Sequence, residues 1–228
     1  MCGRFTLTIA EYADIARLLG VEPDPMLAEA WRPRFNVAPG TGHFLLAHSA
    51  RAPGGRAMLP ARWGFGPRSI PLVRSDTVRT QAMSASAFET ARVLVPTDGF
   101  FEWGGPKDDR RPTWFHAGKE ASSPLVLLGA VMHRGADGVG FAIVTRDADE
   151  VIATVHDRMP VVVPQHAIDA WLYGAKSEAA ALMVADHRPR LVATPVTKHV
   201  NSTKHDDVAC ITPATADERR GKQLKLFG

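Results

Sequence analysis

Short apolar runs bounded by turn residues dominate the hydrophobic pattern and predict a chain built mainly of β-strands. The two strongest signals are residues 125–133 and 140–145, which flank a glycine-containing turn at residues 135–138. A second predicted hairpin pairs residues 100–103 with residues 112–116 across a polar turn. The remaining predicted strands are 5–8, 44–47, 57–65, 93–95 and 191–196.

Helical periodicity is confined to a few short segments. Thr8 lies three residues before Glu11, the spacing of a capping box, and predicts a helix that runs to Leu19 and ends at Gly20. The other predicted helices are 83–90, 148–155, 165–173 and 177–184. Strands joined as hairpins indicate an α+β fold, with a mainly antiparallel, barrel-like β-sheet core and short helices at its periphery.

Length and composition fit one globular domain. The chain has 228 residues, 45% of them hydrophobic, and we predict a domain over residues 1–212 followed by a polar, basic tail over residues 213–228. The longest apolar run, residues 124–132, is too short to cross a bilayer, and the first residues lack the apolar core of a signal peptide. We therefore expect a cytoplasmic monomer that makes no membrane contact and keeps both cysteines reduced.

The net charge of +3 is modest, but arginine is concentrated in one stretch. Residues 31–80 contain eight arginines and one carboxylate, Asp76. The planar guanidinium suits bidentate phosphate recognition, so a fold that gathers these side chains could bind nucleic acid. The alternative is an ordinary solvated basic surface. The arginines are Arg32, Arg34, Arg51, Arg56, Arg62, Arg68, Arg74 and Arg79.

Cys2 follows the initiator methionine. Removal of Met1 would leave one residue with a free α-amine, whose ordinary pKa is about 7.7–8.0, beside a thiol of pKa about 8.5. Such a 1,2-aminothiol condenses with an aldehyde to an imine and then closes a thiazolidine ring, because both nucleophiles are tethered. The alternative is that Met1 stays and Cys2 is a small residue at the start of a strand.

Two further segments could supply proton transfer. Glu102 lies among aromatic residues on a predicted strand, where burial would raise its pKa toward that of a general acid or base; the alternative is a carboxylate facing solvent. His156 and Arg158 lie at a junction between helix and strand, although a single histidine there can be structural. His43, His133, His166 and His199 lack ligand spacing, so the sequence predicts no metal and no cofactor.

An ordered series of motifs spans nearly the whole predicted domain. Together the motifs resemble the SOS-response-associated peptidase family. The series consists of Met1-Cys2-Gly3-Arg4-Phe5, Arg34-Phe35-Asn36-Val37-Ala38-Pro39-Gly40, Trp63-Gly64-Phe65, Asp98 to Trp103, Ile143-Val144-Thr145, His156 to Pro160 and Val196 to Asn201.

The resemblance implies a β-rich fold around a groove for single-stranded DNA, and a thiazolidine crosslink between the N-terminal cysteine and the aldehyde of an abasic site. Cys2 would be the nucleophile and the imine-forming amine, Glu102 the proton shuttle, and His156 the group that assists ring opening and crosslink reversal. Self-removal of Met1 would be the peptidase activity. The residues that would contact DNA by position are Arg4, Asn36, Thr145 and Arg158.

One segment departs from the family pattern. Relatives usually read Asn-Ala-Arg-x-Glu-Thr where this chain has Ser75-Asp76-Thr77-Val78-Arg79-Thr80. Ser75 can hydrogen-bond but is shorter than asparagine, and Arg74 or Arg79 could restore the missing positive charge. A non-covalent single-stranded-DNA binder or repair adaptor is therefore one alternative function. A cysteine hydrolase acting on other peptides or thioesters is another.

The C-terminal residues resemble the short peptide by which bacterial repair factors dock on the sliding clamp. An extended peptide with a glutamine and two terminal apolar anchors suits a hydrophobic groove. The resemblance implies a protein partner in addition to DNA, and a location at the nucleoid or replication fork. The alternative is a plain disordered end. The matching residues are Gln223, Leu224, Leu226 and Phe227.

Overall fold

The computed structural model describes residues 3–136, 138–185 and 191–220. The strands are β1 (Arg4–Leu7), β2 (Arg34–Val37), β3 (Gly42–His48), β4 (Arg56–Trp63), β5 (Leu72–Arg74), β6 (Arg92–Thr97), β7 (Gly99–Gly104), β8 (Arg111–Ala117), β9 (Val126–Gly135), β10 (Gly138–Asp147), β11 (Arg158–Pro160), β12 (Val162–Val163) and β13 (Leu191–Pro195). The α-helices are α1 (Tyr12–Leu19), α2 (Pro25–Ala30), α3 (Ala85–Thr90), α4 (Glu150–Ala153), α5 (Ile168–Leu172), α6 (Lys176–Val184) and α7 (Ala216–Arg220).

Five strands close into a barrel. Strands β10, β4, β3, β6 and β9 pair in that order, and β9 pairs with β10 to complete the ring. All these pairings are antiparallel except β4 with β10, which is parallel. A second, antiparallel sheet has the order β13, β8, β7, β1, β2. The prediction of an α+β fold with a mainly antiparallel, barrel-like core is therefore confirmed, with one parallel pairing in the ring.

Both faces of the central strands are buried. Along β6, Val93 and Val95 join an apolar cluster that includes Phe100 and Phe115 of the second sheet. Leu94, between them, joins another cluster formed with the helices, to which Trp171 of α5 belongs. This alternation follows the two-residue period of a strand, and it fixes the register because a one-residue slip would exchange the two faces.

The second sheet carries the predicted hairpin. Strands β7 and β8 pair in the register Phe101↔Trp114 and Glu102↔Thr113, as the alternation around residues 107–110 predicts. Strand β1 pairs with the other edge of β7 in the register Arg4↔Phe101. Strand β7, which carries Glu102, therefore lies between β8 and β1, and Arg4 of β1 pairs with the residue before Glu102.

The predicted capping box of α1 is wrong. The N-cap residue is Glu11, which makes no side-chain cap hydrogen bond. The backbone N–H and the hydroxyl of Thr8 instead donate to Oδ2 of Asp98, each at 2.6 Å, because that buried carboxylate needs donors. The predicted end of the helix is confirmed, since Gly20 adopts the left-handed conformation with φ of 65°.

Other differences lie in elements of only a few residues. The predicted helix 148–155 is a single turn, α4, and the predicted helix 165–173 divides into a 3-10 turn and α5. Helix α2 and strands β2, β5 and β12 have no counterpart among the predicted elements, whereas β11 begins at Arg158, at the predicted junction between helix and strand. Beyond residue 212, Ala214 is buried and its N–H donates to the carbonyl of Pro195 at 2.9 Å, so residues 213–220 contact the domain. None of the helices in the described part of the chain has the length and apolarity that a bilayer span requires.

Candidate functional site

Glu102 is a fully buried carboxyl group on β7. Burial raises its pKa from 4.5 to about 7, and the carboxylate of Asp157 contributes in the same direction. An acid with this pKa is partly protonated at neutral pH and can both donate and accept a proton. The predicted burial of Glu102 is therefore confirmed, and the alternative of a solvent-facing carboxylate is wrong.

The position of β7 depends on tight contacts at its start. A Cβ atom added to Gly99 would lie 2.3 Å from Nε1 of Trp114, so only glycine allows β8 to approach this closely. Asp98, the residue before it, accepts hydrogen bonds from Thr6 and Thr8 and ties β7 to the chain after β1. These contacts hold Glu102 in register with β1.

Arg4, which is half-buried, and the buried Asn36 form a polar pair on the adjacent strands β1 and β2. Arg4 donates to the side-chain oxygen of Asn36 at 2.9 Å. Arg4 also donates to the carbonyl of Val200 at 2.9 Å. The amide nitrogen of Asn36 faces the carbonyl oxygens of Val200, Ser202 and His205 at 2.7–3.2 Å. The pair thus binds the loop after residue 198 to the sheet.

A cavity of about 430 Å³ opens beside these groups. Nε1 of Trp103 donates to the side-chain oxygen of Asn201 at 2.7 Å, and the guanidinium of Arg4 lies 5.8 Å from the centre of the Trp103 ring. Cys2 lies outside the described residues, but Gly3, to which it is bonded, is part of the wall. The lining residues are Gly3, Arg4, Pro39, Glu102, Trp103, Arg110 and Asn201.

His156 lies in the turn between α4 and β11. Burial lowers the pKa of its imidazole, and its Nδ1 accepts a hydrogen bond from the backbone N–H of Arg158 at 3.0 Å. The carboxylate of Asp157 lies 2.9 Å from the same nitrogen and favours protonation. Because burial is the larger effect, the pKa of the imidazole is lowered and the neutral form, which can accept a proton, is favoured.

Arg158 and Thr145 are buried neighbours on β11 and β10. The guanidinium of Arg158 donates to the carbonyl of Thr145 at 2.8 Å and forms an ion pair with Asp147, whose side chain is 89% exposed. The hydroxyl of Thr145 donates to the carbonyl of Val73 at 3.2 Å. One edge of this guanidinium is therefore fixed by the backbone, while the other is held by an exposed carboxylate.

The Glu102 and His156 groups belong to one region. The carboxylate of Asp157 raises the pKa of both side chains, and Arg110 lowers the pKa of both. The end of β7 also contacts the turn that carries His156, since a Cβ on Gly104 would lie 3.3 Å from Val155. The sequence did not indicate Arg110 or Asp157, because their charges act on Glu102 and His156 only once the fold brings these residues together.

The departure from the family pattern lies beside Thr145. The N–H of Ser75 donates to the carbonyl of Thr145 at 2.7 Å. Arg74, next to it, is exposed and paired with Asp76 through three contacts of 2.7–3.1 Å. Arg79 is exposed, and no hydrogen bond or ion pair joins it to this group within the described ranges. Ser75 and Arg74 thus lie next to Thr145, whereas Arg79 adds no positive charge to this group.

The arginine-rich stretch is not a uniform free patch. Three of its eight arginines form ion pairs with carboxylates, namely Arg34 with Asp206, Arg56 with Asp169, and Arg74 with Asp76. Two of these partners come from far along the sequence. The local excess of arginine therefore overstates the positive charge that this stretch can offer to DNA.

A group of potential metal ligands lies in the C-terminal segment whose carbonyl groups contact Asn36. His199, Asp207 and Cys210 bring one ligand atom each to within 4.8 Å of one another. The spacing of His199 along the sequence does not point to this group. The relevant neighbours are eight and eleven residues away, a spacing that only the 3-10 turns at Lys198–Asn201 and Val208–Ile211 bring together.

Known proteins share both sequence and fold with this chain. The family model for SOS response associated peptidases matches residues 1–203. Abasic site processing protein YedK of Escherichia coli is 29% identical over 93% of this chain and all of its own length. Abasic site processing protein YoqW of Bacillus subtilis is 25% identical over 75% of this chain and 80% of its own. Abasic site processing protein HMCES of Xenopus tropicalis is 24% identical over 66% of this chain and 52% of its own.

Solved structures extend the likeness. A protein from Bacteroides thetaiotaomicron superposes with a TM-score of 0.78 at 18% identity, covering 94% of this chain and all of its own. A phage-related protein from Bordetella bronchiseptica superposes with a TM-score of 0.69 at 25% identity, covering 93% of this chain and all of its own. Because the family model covers most of the sequence, the chain belongs to the SOS response associated peptidase family.

Proposed function

We propose that this protein processes abasic sites in single-stranded DNA and attaches to them covalently through Cys2. The relatives named as abasic site processing proteins support the substrate class. The observation that carries the proposal is the placement of Glu102. This buried acid has a pKa of about 7, and it lines the same cavity as Gly3. A group that can donate and accept protons thus lines the same cavity as the residue bonded to the proposed nucleophile.

The proposed reaction has two stages. Hydrolysis of the Met1–Cys2 peptide bond consumes water, releases methionine and frees the α-amine of Cys2. This amine adds to the aldehyde carbon of the ring-opened abasic sugar, and water leaves as the C=N bond forms. The thiol sulfur then adds to the imine carbon while its proton passes to nitrogen, so that aminothiol and aldehyde yield a thiazolidine and water.

Each side chain has a proposed part in this reaction. Glu102 donates the proton that the departing water needs and accepts one in ring closure. The imidazole of His156 accepts a proton during opening of the sugar ring and during crosslink reversal. Arg4 and Arg158 bind adjacent phosphates, with Asn36 orienting Arg4 and Thr145 lining the pocket.

The test uses purified protein and an oligonucleotide with one abasic site. Intact-mass measurement should show loss of Met1, and incubation should give a denaturation-resistant adduct that Cys2→Ala abolishes. Glu102→Gln should slow adduct formation by roughly 10²–10⁴-fold. A Glu89→Gln variant, at an exposed carboxylate outside the cavity, is the matched control for Glu102→Gln and should retain crosslinking. Retention of Met1 by an unreactive protein would contradict the proposal.

A non-covalent role is the second candidate, because Ser75 and Asp76 replace the residues usual in relatives. Salt-sensitive binding to single-stranded DNA with no adduct would support that role. Turnover of small peptide or thioester substrates would instead support a cysteine hydrolase. The same preparation therefore separates the three functions.

We also propose that the C-terminal peptide docks on the bacterial sliding clamp and brings a monomeric protein to the replication fork. The peptide, with Gln223, Leu224, Leu226 and Phe227, lies outside the described residues. A labelled peptide covering residues 219–228 should bind purified clamp, and replacing both Leu226 and Phe227 with alanine should abolish binding. Equal binding of the two peptides would contradict this docking.

A further inference from the structure

His199, Asp207 and Cys210 form a compact group that the proposed DNA reaction does not use; we refer to it as the His–Asp–Cys cluster. Nε2 of His199 lies 3.1 Å from Oδ2 of Asp207. The ligand atoms of all three side chains, including the sulfur of buried Cys210, lie within 4.8 Å of one another. An imidazole nitrogen, a carboxylate oxygen and a thiol sulfur are the three donor types that Zn²⁺ binds.

The surroundings orient each member of the cluster. The ring of His199 stacks on His205 with centroids 3.8 Å apart and planes 7° apart. Nδ1 of His205 is in turn fixed at 2.8 Å from the carbonyl of His199. Oδ1 of Asp207 accepts the N–H of Ala209 at 2.9 Å, which leaves Oδ2 directed to His199. Supporting contacts of this kind hold ligand side chains in one conformation.

Exposure differs across the cluster in a way that allows an ion to enter. Cys210 is fully buried, the side chain of His199 is 32% exposed, and that of Asp207 is 55% exposed. An ion can therefore arrive from the solvent side and contact the sulfur last. Zn–N and Zn–O bonds are about 2.0–2.2 Å and Zn–S bonds about 2.3 Å, so the widest pair of ligand atoms must close by about 1 Å on binding.

We propose that the His–Asp–Cys cluster binds a zinc-class divalent cation. Nε2 of His199, a carboxylate oxygen of Asp207 and the sulfur of Cys210 supply three ligands, and water completes a tetrahedron. The thiol of Cys210 loses its proton to solvent as the metal–sulfur bond forms, so binding releases one proton and changes no oxidation state.

The bound ion would stabilise one wall of the DNA cavity. The loop that it closes supplies the carbonyls of Val200, Ser202 and His205 to Asn36. The same loop supplies Asn201, which accepts the hydrogen bond from Trp103. Because these groups hold Arg4 and the cavity wall in place, the metal is a positioning element that takes no part in the chemistry at Cys2.

Cobalt titration tests the proposal. Co²⁺ is added to the Cys2→Ala protein, so that Cys210 is the remaining thiol, and the absorption spectrum is recorded. We expect a thiolate-to-cobalt charge-transfer band in the near ultraviolet and visible bands typical of tetrahedral Co²⁺, which one equivalent of Zn²⁺ removes. His199→Gln and Asp207→Asn should weaken Co²⁺ binding at least roughly 10-fold, as loss of one ligand predicts. His166→Gln, at an exposed histidine elsewhere, should leave binding unchanged.

Cys210→Ser in the same background should remove the charge-transfer band while circular dichroism shows an intact fold. If that variant does not fold, the surface variants His199→Gln and Asp207→Asn decide the question by the same spectrum. A spectrum without the thiolate band, or one that all three substitutions leave unchanged, would overturn the proposal. No DNA is present in this assay, so its outcome is independent of whether the protein crosslinks abasic sites.

Discussion

The guanidinium of Arg4 donates to the side-chain oxygen of Asn36 at 2.9 Å, and both side chains also donate to the carbonyl of Val200. Arg4 and Asn36 lie on the paired strands β1 and β2, while Val200 lies 196 residues after Arg4 in the chain. This network joins the first strand to the loop that closes the cavity. The hydrogen bonds that stabilise this part of the fold therefore also hold the wall of the cavity in place.

Asn36→Ala should lower the free energy of unfolding by about 1–3 kcal/mol, because carbonyl oxygens buried around the amide lose their donor. Asn36→Asp should be at least as destabilising, since a carboxylate oxygen would face three carbonyl oxygens. Urea unfolding at neutral pH measures both changes. Variants within about 0.5 kcal/mol of the native protein would show that this network does not stabilise the fold.

The raised pKa of Glu102 predicts that the free energy of unfolding depends on pH. Its pKa of about 7 in the folded protein exceeds the ordinary value of 4.5, so between these values the folded state keeps a proton that the unfolded state has released. The contribution of Glu102 to stability is complete below pH 4.5 and is lost as the pH rises through 7, a loss of at most about 3 kcal/mol.

Glu102→Gln should remove this dependence because an amide does not ionise. The variant should be more stable than the native protein at about pH 8, by on the order of 2 kcal/mol, and similar to it at about pH 4.5, although it crosslinks poorly. Urea unfolding across the pH range measures the difference. Parallel pH profiles for the two proteins would contradict the buried, protonated state of Glu102.

Asp147→Asn should strengthen binding to single-stranded DNA. The exposed carboxylate of Asp147 occupies one edge of the Arg158 guanidinium, where a phosphate would otherwise bind. Ion pairs with an exposed partner contribute roughly 0.2–1 kcal/mol, so we expect an affinity gain of about 1.4- to 5-fold at low salt. Fluorescence anisotropy measures it, and Asp14→Asn, which breaks the exposed pair with Arg17, is the control. An equal effect of both substitutions would indicate net charge alone.

Gly99→Ala should destabilise the fold by about 2–3 kcal/mol, since the new methyl group would meet Nε1 of Trp114 at 2.3 Å and the carbonyl of Phe115 at 2.8 Å. Gly42→Ala is the matched control, because its nearest contact would be 4.0 Å away. Thermal unfolding followed by circular dichroism compares the two. Similar melting temperatures would show that β8 can shift away from β7 at little cost.

Much of the sheet could be predicted because its signals are local. The β7–β8 hairpin follows from two alternating runs separated by a polar turn, and the end of α1 follows from Gly20. The capping box at Thr8 failed because a distant carboxylate, that of Asp98, offered its hydroxyl and N–H a better partner. Strands of two to four residues, such as β5 and β12, carry no periodic signal and pair with the longer strands β10 and β9.

The sequence by itself determined the family and the candidate groups for its chemistry, since the type and order of residues such as Glu102, His156 and Arg158 match the family's motifs. Tertiary structure alone decided their properties. The raised pKa of Glu102, the pairing of Arg4 with Asn36 and the assembly of His199 with Asp207 and Cys210 all depend on contacts between distant segments. Burial and electrostatic interaction are set by distance in space, which closure of the barrel and packing of the second sheet fix.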